Sequence, residues 1–456
     1  MYADLGFANK TVCVVGLGGS GLAAARFLAP RVGRLVVADS REAPPNAGQL
    51  AGVAAGAELR AGAFSAATFA GCDVLVLSPG VPLATPAVAA FAGEVIGDVE
   101  VFARAIDPLA IPVIAITGSN GKTTVTSLAG HLVAACGRRV VVAGNIGLAV
   151  LDALADIEAG GELPVCFVLE LSSFQLETTT SLNAIAATTL NISEDHLDRY
   201  RDLLAYADSK AAVFNGGGVQ VLNRDDLFVR AMARPQRRHV WFSLEDAGAD
   251  YALAERDGRH WLCAGGEALL PFDAMQLVGL HNAANALAAL ALCEAAGLPR
   301  AGLLAGLTTF KGLAHRVEHV LTHEGVDFID DSKGTNVGAT EAALKGMTRP
   351  VVLIAGGDGK GQDFSPLAPA LARIGRAVLL IGRDAPVVRQ ALAGLALPLI
   401  DCATLEEATW RGFELAQPGD VVLLSPACAS FDMFRGYAHR AEVFIASARE
   451  LAGVQP

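Results

Sequence analysis

The chain of 456 residues has eight cysteines and no CxxC pair among them, so neither a metal cluster nor a disulfide framework is expected, and a reducing compartment suits it. Aromatic residues make up only 6% and charged residues 18%, against 52% hydrophobic; that balance excludes a disordered or fibrous chain. The most helix-like apolar run, Ala286 to Ala296, is short and carries Glu294, so no membrane span is expected. Basic residues are the scarcer sign, 35 against 47 acidic. The resulting net charge of −12 argues against non-specific nucleic-acid binding while leaving room for local phosphate sites. The segment Thr11–Ala29 follows Lys10 as a signal peptide would, but its Gly16-Leu17-Gly18-Gly19-Ser20-Gly21 core fits an apolar leader poorly. The expectation is a cytoplasmic protein without nucleic-acid or membrane partners, and its length suits about three domains of roughly 150 residues.

What is present is a repeated α/β pattern. Short β-branched runs alternate with Ala/Leu-rich helical stretches from end to end, as in parallel sheets. The pattern restarts twice. A first segment has strands at Thr11–Val15, Leu35–Ala38 and Val74–Leu77, the last ending in the breaker Ser78-Pro79-Gly80. A second runs from Pro112–Ile116 through Val140–Val142 and Val165–Leu169 to a helix around Asn282–Ala296. A third begins near Val326–Ile329, with strands at Val351–Ile354, Val378–Ile381 and Val421–Leu424. The expected domains are residues 1–100, 101–312 and 313–456.

Two glycine loops carry chemistry. Gly16, Gly18 and Gly21 form GxGxxG between a strand and a helix, and Asp39 ends the next strand where an acid could meet a ribose hydroxyl. Such a loop holds a diphosphate beside a ribose, in a nicotinamide dinucleotide or a UDP-sugar alike, and cannot choose between them. The second, Thr117-Gly118-Ser119-Asn120-Gly121-Lys122-Thr123-Thr124, follows an apolar strand and precedes a helix over Val125–Ala135. It resembles a P-loop with Ile116 in place of the first glycine, which points to ATP. An oxidoreductase has no use for that loop. Such an enzyme, and a non-catalytic nucleotide-binding scaffold, stand as the alternatives.

The P-loop and later motifs together resemble the Mur ligases. The motifs are Glu170-Leu171-Ser172-Ser173-Phe174-Gln175-Leu176-Glu177, Asn191–Tyr200, Gly279-Leu280-His281-Asn282 with Asn285, His315-Arg316-Val317-Glu318, Asp330–Asn336, Gly356–Lys360 and Ser425–Asp432. The first glycine loop and the Ser-Phe-Asp block look like the D-glutamate-adding branch, with another amino-acid ligase of the family as the alternative. The Asp-Asn-Pro-Arg motif typical of the diaminopimelate-adding branch is missing, and Asn120 stands where the alanine-adding branch usually has His.

The resemblance implies a three-domain α/β fold: a Rossmann-like N-terminal domain for the UDP-substrate, a P-loop-type central ATPase domain, and a Rossmann-like C-terminal domain for the amino acid. It implies a cytoplasmic, monomeric ligase of peptidoglycan precursor synthesis. ATP would phosphorylate the carboxylate of UDP-N-acetylmuramoyl-L-alanine, and the amine of D-glutamate would displace phosphate. ATP is then a co-substrate and two Mg²⁺ ions are cofactors.

The site residues implied are Gly118, Ser119, Asn120, Gly121, Lys122, Thr123, Thr124, Asn285, Arg316 and Asp331 for ATP, with His315 orienting base or phosphate. Gly18, Ser20, Asp39, Ser40, Arg41, Ser78, Gly80 and Asn145 would hold the UDP-substrate. Lys333, Thr335, Lys360, Ser430 and Phe431 would hold D-glutamate. Thr123, Glu170, His196 and Lys210 (as its carbamate) would bind metal, and Lys122, His196 and Lys210 would be catalytic. By position alone, Lys210 on a helix over Leu203–Phe214 is an ordinary solvated residue, and His196 a helix-start histidine among acids.

Overall fold

The computed structural model describes residues 2–197, 199–277 and 279–454; Asp198, part of the Asn191–Tyr200 motif, lies outside them. Three sheets follow one another along the chain. The first is five-stranded and wholly parallel, in the order Glu58–Ala61, Arg34–Asp39, Thr11–Val15, Val74–Leu77, Glu94–Gly97. Its central strands are buried on both faces, which is why they read as unbroken Val/Leu runs.

The second sheet has nine strands. Parallel strands Val219–Asn223, Ala186–Thr189, Val113–Thr117, Cys166–Glu170 and Val140–Gly144 form its core. His239–Ser243 and Tyr251–Arg256 extend it in parallel, and Arg259–Ala264 and Glu267–Pro271 close that edge as an antiparallel ribbon. The ribbon is absent from the sequence reading although its turns, Asp257-Gly258 and Gly265-Gly266, are hairpin signals, because its strands mix charged with apolar residues. The third sheet is six-stranded: Glu318–His323 pairs antiparallel with Val326–Asp330, followed by Val421–Leu424, Val351–Gly356, Gly375–Ile381 and Leu399–Asp401 in parallel.

The first two sheets share one hydrophobic core. Val14 and Phe27 belong to the same buried cluster as Val113, Leu154 and Phe167. The helix Gly19–Leu28 lies against the helix Val150–Glu158, and the seam is closed by Arg26–Asp152, by Arg31–Glu158 at 2.5 Å, and by Tyr2 Oη donating to the Leu154 carbonyl at 2.6 Å. The third sheet keeps its own clusters on its two faces. It meets the central sheet through the helix Val337–Gly346, where glycine makes the approach possible. A Cβ on Gly338 would stand 2.8 Å from Ser193 Oγ and 3.0 Å from Asn120 Nδ2; one on Gly346 would stand 3.1 Å from the Gly279 Cα.

Candidate active site

Both glycine loops sit where a parallel strand hands over to a helix. In the first, Gly21 is required by packing: a Cβ there would lie 1.8 Å from the Gly16 carbonyl. Asp39, 2% exposed, receives Leu17 N on Oδ2 at 2.7 Å, and the Arg41 guanidinium grips both its oxygens at 2.6 and 2.8 Å. Arg41's hydrogen bonds hold the Asp39 carboxyl down at about 2. Ser78 Oγ donates to the Gly16 carbonyl at 2.8 Å, so the Ser78–Gly80 turn is tied to the loop. Gly18, Ser20, Ser40 and Gly80 are half-buried or exposed around it, open to a ligand.

The second loop leads into a helix that begins at Lys122 rather than Val125, so Lys122, Thr123 and Thr124 form its first turn. Gly121 takes φ +83°, and a Cβ there would lie 2.7 Å from Asn285 Oδ1; the loop passes that close to the helix Leu280–Ala295. Lys122 Nζ donates back to the carbonyls of Gly118 and Ser119 at 2.7 and 2.8 Å, so the cradle is formed with its cation inside. Burial lowers the Lys122 pKa, while Glu170 and Asp195 counter it.

Two lobes of one cleft open from this loop, between the central and third sheets. One, of about 290 Å³, is lined by Asn120, Thr124, Asn285, Arg316, Asp331 and Phe242. Asp331 accepts Ser425 Oγ at 2.6 Å, and burial pushes its carboxyl up to about 7. The other lobe, of about 470 Å³, brings Ser119, Lys122 and Thr123 together with Asn145, Glu170, Asp195, His315, Lys333 and Thr335. Asn145 Nδ2 donates to Glu170 Oε1 at 3.0 Å, whereas Glu170 Oε2 is buried without a hydrogen-bond partner. A buried carboxylate oxygen with nothing to satisfy it is a cation ligand in waiting.

Around Tyr206 the remaining implied metal residues converge. Lys210 is 1% exposed, not the solvated residue its position suggests. Its Nζ stands 3.4 Å from Thr117 Oγ1 and 4.6 Å from the centre of the Tyr206 ring. Its helix, Leu203–Ala211, passes into a 3₁₀ turn over Ala212–Phe214. Burial, and then the positive charge of Lys122, push the Lys210 amine well below the lysine range. His196 is not at a helix start; it sits in a loop at φ +55°, with Nε2 3.6 Å from Asp195 Oδ2 and its ring centre 4.8 Å from that of Phe174. The lone carboxylate oxygen of Glu170 and a threonine hydroxyl are oxygen donors of the kind a hard divalent cation takes, and Lys210 would add another only as a carbamate.

In the third domain, Lys333 and Thr335 line the cleft, and Lys360 Nζ reaches within 3.8 Å of Asp195 Oδ1. Ser430 is buried beside Ala429, which bridges to Asp358. Phe431 is not brought in: its side chain is 77% exposed. Tyr437, which the sequence reading passed over, is an aromatic residue of this domain that does reach the cleft. It lines the cleft with the Lys333 ammonium 3.8 Å from its ring centre. A tyrosine at the start of the last helix carries no motif that could have flagged it. His315 has a partner equally invisible in the sequence: Asp330 Oδ2, fully buried, lies 2.7 Å from its Nδ1.

This arrangement is matched by known proteins. Family models described as "Mur ligase MurD-like, N-terminal domain", "Mur ligase middle domain" and "Mur ligase, glutamate ligase domain" match residues 10–99, 116–293 and 315–428. The chain belongs to the Mur ligase family. A relative from Chromobacterium violaceum is 65% identical over 96% of this chain and 97% of its own, and one from Thiobacillus denitrificans is 54% identical over 99% and 98%; both are named UDP-N-acetylmuramoylalanine--D-glutamate ligase. The fold is also that of a UDP-N-acetylmuramate-alanine ligase from Thermotoga maritima (TM-score 0.59, 18% identity, 97% of this chain and 100% of that one). Nothing in these matches favours the oxidoreductase alternative.

Proposed function

We infer that this chain joins D-glutamate to UDP-N-acetylmuramoyl-L-alanine at the expense of ATP, a step of peptidoglycan precursor synthesis. The full-length similarity to ligases of that name carries the reading. The cleft supports it, since the phosphate loop, a buried acid and the third domain's lysines face one another there. The UDP-substrate is assigned to residues 1–100, ATP to 101–312 and the amino acid to 313–456.

A carboxylate is a poor electrophile, so its oxygen first attacks the γ-phosphorus of ATP and displaces ADP as the bond to the β-phosphate oxygen breaks, and the resulting acyl phosphate carries its own leaving group. Lys122 exchanges its two carbonyl partners for the β/γ-phosphate oxygens and offsets charge as it develops. Asn285, Arg316 and Asp331 hold the nucleotide in the first lobe. Asn145, anchored on Glu170, orients the reacting end of the UDP-substrate beside Lys122. Glu170, Thr123, His196 and Lys210, the last as its carbamate, would hold Mg²⁺, which supplies the charge neutralisation that phosphoryl transfer needs. Lys333, Thr335, Lys360 and Ser430 bind the D-glutamate carboxylates, with Tyr437 bracing Lys333. The amine then attacks the acyl carbon and phosphate leaves. Much of the acceleration is positioning of three anionic substrates against fixed cations.

The test is phosphate release with UDP-N-acetylmuramoyl-L-alanine and a panel of amino acids. D-glutamate should be turned over far faster than L-glutamate, because the wrong enantiomer leaves one of the cleft's lysines without its carboxylate partner. Equal turnover of the two enantiomers overturns the reading.

A further inference from the structure

One guanidinium ties the first domain's substrate loop to the central domain, and none of the roles above uses it. Arg199 follows His196, whose carbonyl accepts Arg199 N at 2.9 Å. Its side chain is 12% exposed. Nη1 donates to the Pro79 carbonyl at 3.0 Å, Nη2 donates to Glu177 Oε2 at 2.5 Å, and the guanidinium carbon lies 3.9 Å from the centre of the Phe174 ring.

A planar cation held by a carboxylate on one edge and an aromatic face on another has its orientation fixed, so the third contact, to Pro79, is fixed as well. Both supports come from the central domain's Ser173–Leu176 turn and its flank, and the Phe174 ring that carries Arg199 also packs at 4.8 Å on His196. Pro79 belongs to the first domain. The turn it forms is tied back to the first glycine loop by Ser78 Oγ on the Gly16 carbonyl and by Ser78 N on the Val15 carbonyl at 2.9 Å. Contacts therefore run unbroken from the GxGxxG loop through Ser78, Pro79 and Arg199 to Phe174 and His196.

We propose that Arg199, supported by Glu177 and Phe174, is a positioning residue that sets the register of the first domain's substrate turn against the phosphate-transfer cleft. It touches no reacting atom. It fixes where a substrate held by its diphosphate on the first glycine loop presents its far-end carboxylate. The proposal rests on the reading that the first loop holds the UDP moiety. It goes further by separating binding of that moiety from delivery of the carboxylate.

Arg199→Met, Arg199→Lys and Glu177→Gln test it in the full chain, with affinities for UDP and for a non-hydrolysable ATP analogue measured by calorimetry beside steady-state turnover. Arg199→Met should keep both affinities within about twofold while kcat for UDP-N-acetylmuramoyl-L-alanine-dependent phosphate release falls about 10- to 100-fold, the signature of lost orientation. Arg199→Lys, which keeps the charge but can reach only one of the two oxygens well, should recover part of that loss, and Glu177→Gln should fall between. Unchanged turnover in Arg199→Met overturns the proposal. So does a parallel loss of both affinities with a lowered melting temperature, which marks a merely structural residue. If Arg199→Met does not fold, the same criteria apply to Arg199→Lys and Glu177→Gln. Wild-type protein that binds no UDP defeats the reading beneath the proposal, not the role of Arg199.

Discussion

Lys360 Nζ stands 3.8 Å from Asp195 Oδ1, an ion pair between the third domain's Gly356–Lys360 loop and the central segment that carries His196. The lysine is partly exposed, so the pair adds at most about 1 kcal/mol to stability. It holds a cation at the cleft, where the proposed function has it pair with a D-glutamate carboxylate.

Replacing Lys360 by alanine should therefore raise KM for D-glutamate about tenfold or more while leaving KM for ATP and for the UDP-substrate within about twofold. Steady-state kinetics with each substrate varied in turn checks this. A uniform rise in all three KM values would place Lys360 in domain closure instead.

Lys122→Ala should abolish acyl-phosphate formation, measured by borohydride trapping, with calorimetric affinity for the UDP-substrate little changed. The two ligands are assigned to different glycine loops, and the Lys122 ammonium is bonded within its own, to Gly118 and Ser119.

Lys210→Ala should be nearly inactive, and acetate should restore part of the activity by putting a carboxylate into the vacated space. Lys210→Arg should not be rescued, because a guanidinium keeps its charge and fills the site. The carbamate itself should appear as a mass increase in intact protein kept in bicarbonate. Carbamylation requires a neutral amine, the form that burial beside Lys122 favours here.

Asp98 opens the helix that leaves the first sheet. It is 4% exposed, and burial pushes its carboxyl from 3.8 up to about 6, against a hydrogen bond from Val99 N. The folded state therefore holds this proton more tightly than the unfolded state, and stability falls as pH rises from about 4 to 6 and stays lowered above. Asp98→Asn should raise the melting temperature at pH 8 and leave it nearly unchanged at pH 4. The difference is on the order of 2–3 kcal/mol, from about two pKa units. Equal effects at both pH values would show that folding leaves the Asp98 pKa unshifted.

Much of the architecture was legible in the chain. Thr11–Val15, Val74–Leu77 and Val421–Leu424 read as strands to the residue, because strands buried on both faces are unbroken β-branched runs. Two edge strands were not: Glu318–His323 and Glu267–Pro271 mix charge with apolar residues and resemble loops. The phosphate loop declared itself because its glycines, lysine and threonines are contiguous. Lys210 looked solvated because burial is a tertiary property that no spacing encodes. Phe431 drew the eye beside Ser430, yet Tyr437, six residues on, is the ring that reaches Lys333. The Arg199–Pro79 bond joins residues 120 positions apart and leaves no local trace.

The glycines of the helix Val337–Gly346 bear on how the molecule can work as a machine. Where the first two domains are welded by a common core, the third rests on the centre partly through bare backbone at Gly338 and Gly346. A seam built partly on glycine meets its partner with fewer side chains to reshuffle than an interlocked one, more a plain bearing than a gear. If nucleotide entry and product exit use motion of the third domain, this seam lets it swing with little side-chain repacking and no loosening of the other two.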